Sequence, residues 1–239
     1  MTLSTIVSFL VVGAPAPATL AVDGLLVATL TNRKWAVHSD ALPRWRDVPF
    51  RQVRLGQLGR KLVVRKPVIM EMSGLPYLQT EGSDFVGALW SGPAPAFPRK
   101  VTASSQVSPD LKKIVSQLVL QRAKDPEGAA WSSITVDLDA NGEMDRLVRA
   151  EMNSSGSSAT GLAWNILVWI PGKRTPKVLA WETEDDQETC TQVDVVSIAD
   201  FDRDGRYEVV LSRRYIEGNS GEVWTFTSRE AKKIIEKSS

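Results

Sequence analysis

The chain has 239 residues, 43% of them hydrophobic and 24% charged, with a formal net charge of +1. That is enough apolar chain to bury a core in one large domain or two small ones, and the near-neutral balance excludes a global pull toward nucleic acid or an anionic membrane. The single cysteine, Cys190, excludes an internal disulfide framework and multi-cysteine zinc or iron–sulfur sites within one chain. A lone cysteine reads first as a small buried hydrophobe. The one histidine, His38, sits in Ala-Val-His-Ser-Asp, which supports neither a histidine metal site nor a catalytic triad.

In chain order, residues 6–12 are apolar, and Ala16-Pro17-Ala18 has the small-x-small form of a signal-peptidase site. No Lys or Arg precedes Arg33, however, so a signal segment over 1–21 and a first β-strand remain alternatives. The run is too short to span a membrane, and no integral membrane segment is expected. From residue 3 to about 98, short apolar runs alternate with Gly, Pro and Asp, as at 24–30, 61–65 and 84–90; this predicts strands. Between 44 and 66, Arg44, Arg46, Arg51, Arg54, Arg60, Lys61, Arg65 and Lys66 face only one acid, Asp47. That run is either a solvated strand face or a surface for an acidic partner. With little aromatic interleaving, it gives no support to nucleic-acid binding.

One segment predicts a helix, near 109–123. Ser108 caps it, Pro109 opens it, and Leu111, Ile114, Val115, Leu118 and Val119 recur on one face until Pro126 and Gly128. Beyond Trp131 strands are expected at 133–136, 146–152, 162–170, 178–183, 193–198, 207–213 and 222–227. The tail, 228–237, reads as a short helix capped by Ser228, with Glu230 early and Lys232, Lys233 and Lys237 late. The expected division is an N-terminal β-rich region over 1–107, a connecting helix over 108–125 and a two-repeat module over 131–239.

The repeat is the strongest signal. Asp137-Leu-Asp-Ala-Asn-Gly-Glu-Met-Asp145 matches Asp200-Phe-Asp-Arg-Asp-Gly-Arg-Tyr-Glu208; each has a strand before and after it, and each is followed by a Gly-x-x-Trp, at Gly161–Trp164 and Gly221–Trp224. Calcium takes six to eight hard oxygens in tolerant geometry. Asp137, Asp139 and Asn141 in the first loop, and Asp200, Asp202 and Asp204 in the second, point into one concavity if Gly142 and Gly205 let the chain curl. The backbone carbonyls of Glu143 and Arg206 come next, and Asp145 and Glu208 close the shell. Asx-Gly turns without metal use the same residues, yet two copies with so many carboxylates call for a cation to offset their repulsion. An EF-hand is excluded, because its twelfth position is Val148 or Leu211 and the flanks are strand-like.

These loops resemble the FG-GAP (VCBS-type) repeat, the calcium-loop repeat of integrin α-subunit β-propellers and of many secreted bacterial proteins. The resemblance covers about 131–227. It implies a mainly-β, propeller-like fold of antiparallel sheet repeats, calcium at Asp137, Asp139, Asn141 and Asp145, and calcium at Asp200, Asp202, Asp204 and Glu208. Two repeats cannot close a ring of four to eight blades. The expected role is a non-catalytic, calcium-stabilised structural or interaction module outside the cytoplasm, with an unidentified protein or polysaccharide partner. The alternative is calcium-dependent carbohydrate binding, since four of the eight tryptophans, Trp164, Trp169, Trp181 and Trp224, fall in the repeat region. Those side chains serve equally as core, and Trp164 and Trp224 occupy equivalent places in the repeat. A secreted hydrolase or lyase lacks a supporting motif: neither Gly-x-Ser-x-Gly nor His-Glu-x-x-His occurs.

Overall fold

Three antiparallel sheets and one helix make up the regular structure of the computed structural model, which describes residues 17–41, 48–62, 64–69, 74–80, 87–154, 162–172, 174–183, 191–215 and 218–239. The mainly-β expectation with one amphipathic helix is met. Among the described residues the sheets do not close into a barrel or propeller. Residues 6–12, Arg44, Arg46, Asp47, 84–86, Gly161 and Cys190 lie outside the described residues.

The N-terminal sheet is built from β1 (Ala18–Val22), β2 (Leu25–Thr31), β3 (Lys34–Val37), β4 (Phe50–Arg54), β5 (Gln57–Leu62), β6 (Val64–Ile69), β7 (Pro76–Thr80) and β8 (Ala88–Trp90). Its order is β5-β4-β8-β1-β2-β7-β6, with β3 also paired to β2. Strand β1 falls inside the span read as either signal or strand; it is central and all five of its residues are buried. In the basic run, Arg51, Arg54 and Lys61 are exposed, as a solvated face requires.

After the short β9 (Thr102–Ser104) comes α1 (Pro109–Leu120). Ser108 has extended backbone angles and its hydroxyl accepts from the Leu111 N–H, as a cap should. The helix stops at Leu120, ahead of Pro126, because Ala123 turns into the left-handed region with φ +57°. Its apolar face, centred on Val115 and Val119, packs on Val148, Ala150, Trp164 and Ile166.

Two four-stranded meanders follow. The first is β10 (Ala130–Val136), β11 (Asp145–Asn153), β12 (Leu162–Ile170) and β13 (Lys177–Thr183), with β9 added beside β10. The second is β14 (Gln192–Ala199), β15 (Glu208–Tyr215), β16 (Gly218–Phe226) and β17 (Ala231–Ser238). All seven strands expected beyond Trp131 are present, within a few residues of their expected ends. The expected C-terminal helix is not: the tail is β17. Its charge order imitates a capped helix, but eight residues are too few to hold a helix without packing, and β16 offers a full row of partners from Ser220↔Ser238 to Phe226↔Ala231. The Thr227 hydroxyl, rather than the expected cap Ser228, accepts from the N–H groups of Arg229 and Glu230 and closes a turn ahead of β17. A register shift at Val223/Trp224 accommodates the adjacent Ile234 and Ile235.

The layers stack face to face. Helix α1 covers one face of the first meander, and Leu147, Leu167 and Trp169 on its other face meet Val209, Leu211, Trp224 and Phe226 of the second. The far face of the second meander, with Val210, Val223 and Ile235, packs on Leu20, Val22, Leu25 and Val27 of the N-terminal sheet. Strand β15 is therefore covered on both sides, and Glu208 to Ser212 are all buried. This core runs across the boundaries expected at 107 and 131. Gly221 marks a close approach, since a Cβ there would stand 2.4 Å from Val27 and 3.0 Å from Val22. No helix among the described residues is long and apolar enough to cross a membrane.

Candidate metal centre

Each loop joins the first two strands of its meander and is closed by an equivalent pair, Val136↔Asp145 in one and Ala199↔Glu208 in the other. Position 2 supplies a hydrophobic anchor that holds the loop down. Leu138 is fully buried in the core between the meanders. Phe201 is buried against Trp90, with ring centroids 5.1 Å apart.

The two loops repeat each other bond for bond. The position 1 carboxylate accepts from positions 5 and 6: Asp137 from Asn141 (3.1 Å) and Gly142 (2.8 Å), Asp200 from Asp204 (3.1 Å) and Gly205 (3.1 Å). Position 3 accepts from position 5, at 3.4 Å for Asp139 and 3.0 Å for Asp202. Position 5 accepts from position 7, at 2.6 Å for Asn141 to the Glu143 N–H and 2.8 Å for Asp204 to the Arg206 N–H. Position 9 reaches back to position 2, with Asp145 accepting from Leu138 at 2.9 Å and Glu208 from Phe201 at 2.8 Å.

Glycine at position 6 has φ +88° in Gly142 and +92° in Gly205, with open space around both, so backbone angle rather than crowding demands it. Position 4 is also left-handed, at +56° for Ala140 and +59° for Arg203. Neither residue favours that region, and the shared curl holds them there.

This curl brings one carboxylate oxygen from each of Asp137, Asp139 and Asp145 within 4.8 Å of one another, and likewise from Asp200, Asp202 and Glu208. Each trio can hold a metal ion. Of the other expected ligands, Asn141 and Asp204 each turn a side-chain oxygen to the position 7 N–H, and Asp204 lies outside its close trio. Glu143 and Arg206 were expected to contribute only carbonyls, and the Glu143 carboxylate leans toward Gly172.

Electrostatics add a reason for a cation. Burial, then the charge of Asp202, pushes Glu208 up to about 9. Burial likewise raises Asp145 to about 6, with Asp139 and Asp137 contributing. Asp202 is raised by burial and by Asp204. Ionised oxygens held together away from water are unfavourable unless a cation neutralises them.

The tertiary fold adds partners that local sequence does not signal. The Tyr207 N–H donates to the Leu138 carbonyl at 3.0 Å, so position 8 of one loop is tied to position 2 of the other. Asp200 exchanges two backbone bonds with Ala96, and Arg203 donates to the Ala94 carbonyl at 2.9 Å. The tryptophans are core: Trp164, Trp169 and Trp224 are buried, and Trp164 stacks on Trp181. Trp164 and Trp224 are nevertheless not structural equivalents. Trp164 pairs with Met152 at the far end of β11, and Trp224 with Val209 next to its loop. His38 is buried with Nδ1 against the Ser39 carbonyl, and burial lowers its pKa. Compared with known proteins, the chain matches no family model, no curated protein and no solved structure.

Proposed function

We propose that both loops bind calcium and that the chain is a non-catalytic, calcium-stabilised structural or interaction module of FG-GAP/VCBS type, with each four-stranded meander serving as a propeller-like blade. The observation that carries this reading is the duplicated loop geometry: two separate segments converge three acidic oxygens through the same hydrogen bonds. All-oxygen, irregular, carboxylate-rich coordination suits calcium better than zinc or copper. Such sites stay filled where calcium is millimolar, which favours an extracytoplasmic setting. Burial of Trp164, Trp169 and Trp224, and the packing of Trp164 and Arg122 against the half-buried Trp181, argue against a tryptophan-based sugar site.

The test is a thermal melt in EDTA and in excess calcium. Two sites filled at a hundred times their Kd contribute roughly 5 kcal/mol by mass action, which corresponds to a rise of roughly 10–20 °C for a chain this size. Asp139→Ala and Asp202→Ala should each remove about half of that rise. Equal melts in the two buffers, with no calcium uptake by titration calorimetry, would reduce both loops to metal-free Asx-Gly turns.

A further inference from the structure

A cleft of about 430 Å³ opens beside the first loop, lined by Pro98, Arg99, Lys100, Asp137, Gly142 and Tyr207, with Ala140 and Met144 completing it. Its size falls in the range of small-ligand sites, roughly 300–1,000 Å³. Arg99 and Lys100 are exposed, and neither forms an ion pair among the described residues. Resting on the calcium reading above, we propose that this cleft binds an acidic sugar, a uronate of a polysaccharide, and that the cation in the first loop switches the cleft on.

The switch is one of charge. The first loop carries four carboxylates, on Asp137, Asp139, Glu143 and Asp145, against two positive charges on Arg99 and Lys100 in the cleft wall. Without a cation the sum is negative and an anion is repelled. One divalent cation offsets that excess, leaving the guanidinium and ammonium groups free to hold a carboxylate. The remaining lining suits a sugar ring: the half-buried Met144 offers apolar surface, and the half-buried Tyr207 offers an aromatic ring with a hydroxyl. No lining residue lies in a β-strand, so an extended acidic peptide would find no edge to pair with.

The probe is methyl glucuronide, titrated calorimetrically into the full chain in millimolar calcium and again in EDTA, with methyl glucoside as the neutral control. Saturable binding in calcium, its loss in EDTA and its absence with the glucoside are the expected results. Arg99→Gln and Lys100→Gln should each weaken binding at least about tenfold while leaving calcium uptake intact. Calcium uptake without glucuronide binding would overturn this proposal and leave the calcium reading standing. Glucuronide binding that persists in EDTA, or in both variants, would overturn the switch and the assigned groups. Saturation by acetyl-diglutamate in place of the glucuronide would show that the cleft takes acidic peptide, and the sugar assignment would fall.

Discussion

Single residues decide whether the loops are metal sites or turns, and position 9 is the most informative. Asp145 and Glu208 are 3% and 1% exposed, an uncommon setting for a carboxylate that ends a surface turn. Without a cation, Glu208 keeps its proton up to about pH 9, against an ordinary value of 4.5. The folded chain therefore holds a proton that the unfolded chain has released between those two values, so stability falls as pH rises through that window. Asp145 adds the same trend between 3.8 and about 6. Melts in EDTA are expected to decline from about pH 5 to about pH 9, and calcium should flatten the curve by occupying the ionised form. Glu208→Gln should remove most of the decline in EDTA; a flat wild-type profile would show that the side chain is solvated and ionised. The ligand candidates were legible because all of them lie in nine-residue segments, where spacing alone sets direction. Their burial was not, because it depends on the sheets packed around them.

At the scale of elements, the two loops are one unit. Leu138 donates its N–H to Asp145 and accepts the Tyr207 N–H with its carbonyl, so ordering either loop constrains the other. Calcium binding at the two sites should be coupled, on the order of 1 kcal/mol. Titration calorimetry of Asp139→Ala would measure this: the surviving second site is expected to bind a few-fold more weakly than in the parent chain. An unchanged affinity would mean that the Leu138 link transmits nothing. The same scale explains two features that the repeat pattern did not reveal. The Gly-x-x-Trp motifs align by sequence, but eight residues separate β11 from β12 and only two separate β15 from β16, so the tryptophans fall at opposite ends of their strands. The tail carries helix-like charges, but β16 had an unpaired edge to satisfy, and pairing along a whole strand outweighs a single cap.

For the molecule as a whole, the second meander holds the layers together. It packs on the first meander through Val209 and Leu211 and on the N-terminal sheet through Val210 and Val223. Polar contacts reinforce the second junction: the Tyr77 hydroxyl donates to Asn219 Oδ1 at 2.5 Å, and Lys237 donates to the His38 carbonyl at 2.8 Å while pairing with Asp40. Gly221→Val would force side-chain atoms into Val22 and Val27, at a cost of about 1–3 kcal/mol. It should lower the melting temperature by a similar amount in EDTA and in calcium, because the clash is remote from the loops. A decrease confined to calcium conditions would instead place Gly221 in the path between the cation sites and the core.

Seven of the eight meander strands, the helix and its cap, and the duplicated loops were legible in the sequence, because alternation, capping and Asx-Gly turns act over a few residues. The rest followed from contacts between segments distant in the chain. Those contacts placed Ala18–Val22 in the middle of a sheet, turned the last eight-residue segment into a strand and buried Trp164 and Trp224 in different cores. They also brought Arg99 and Lys100 beside Asp137. Each of these outcomes depends on which surfaces meet across long stretches of chain, and no local pattern of residues encodes that meeting.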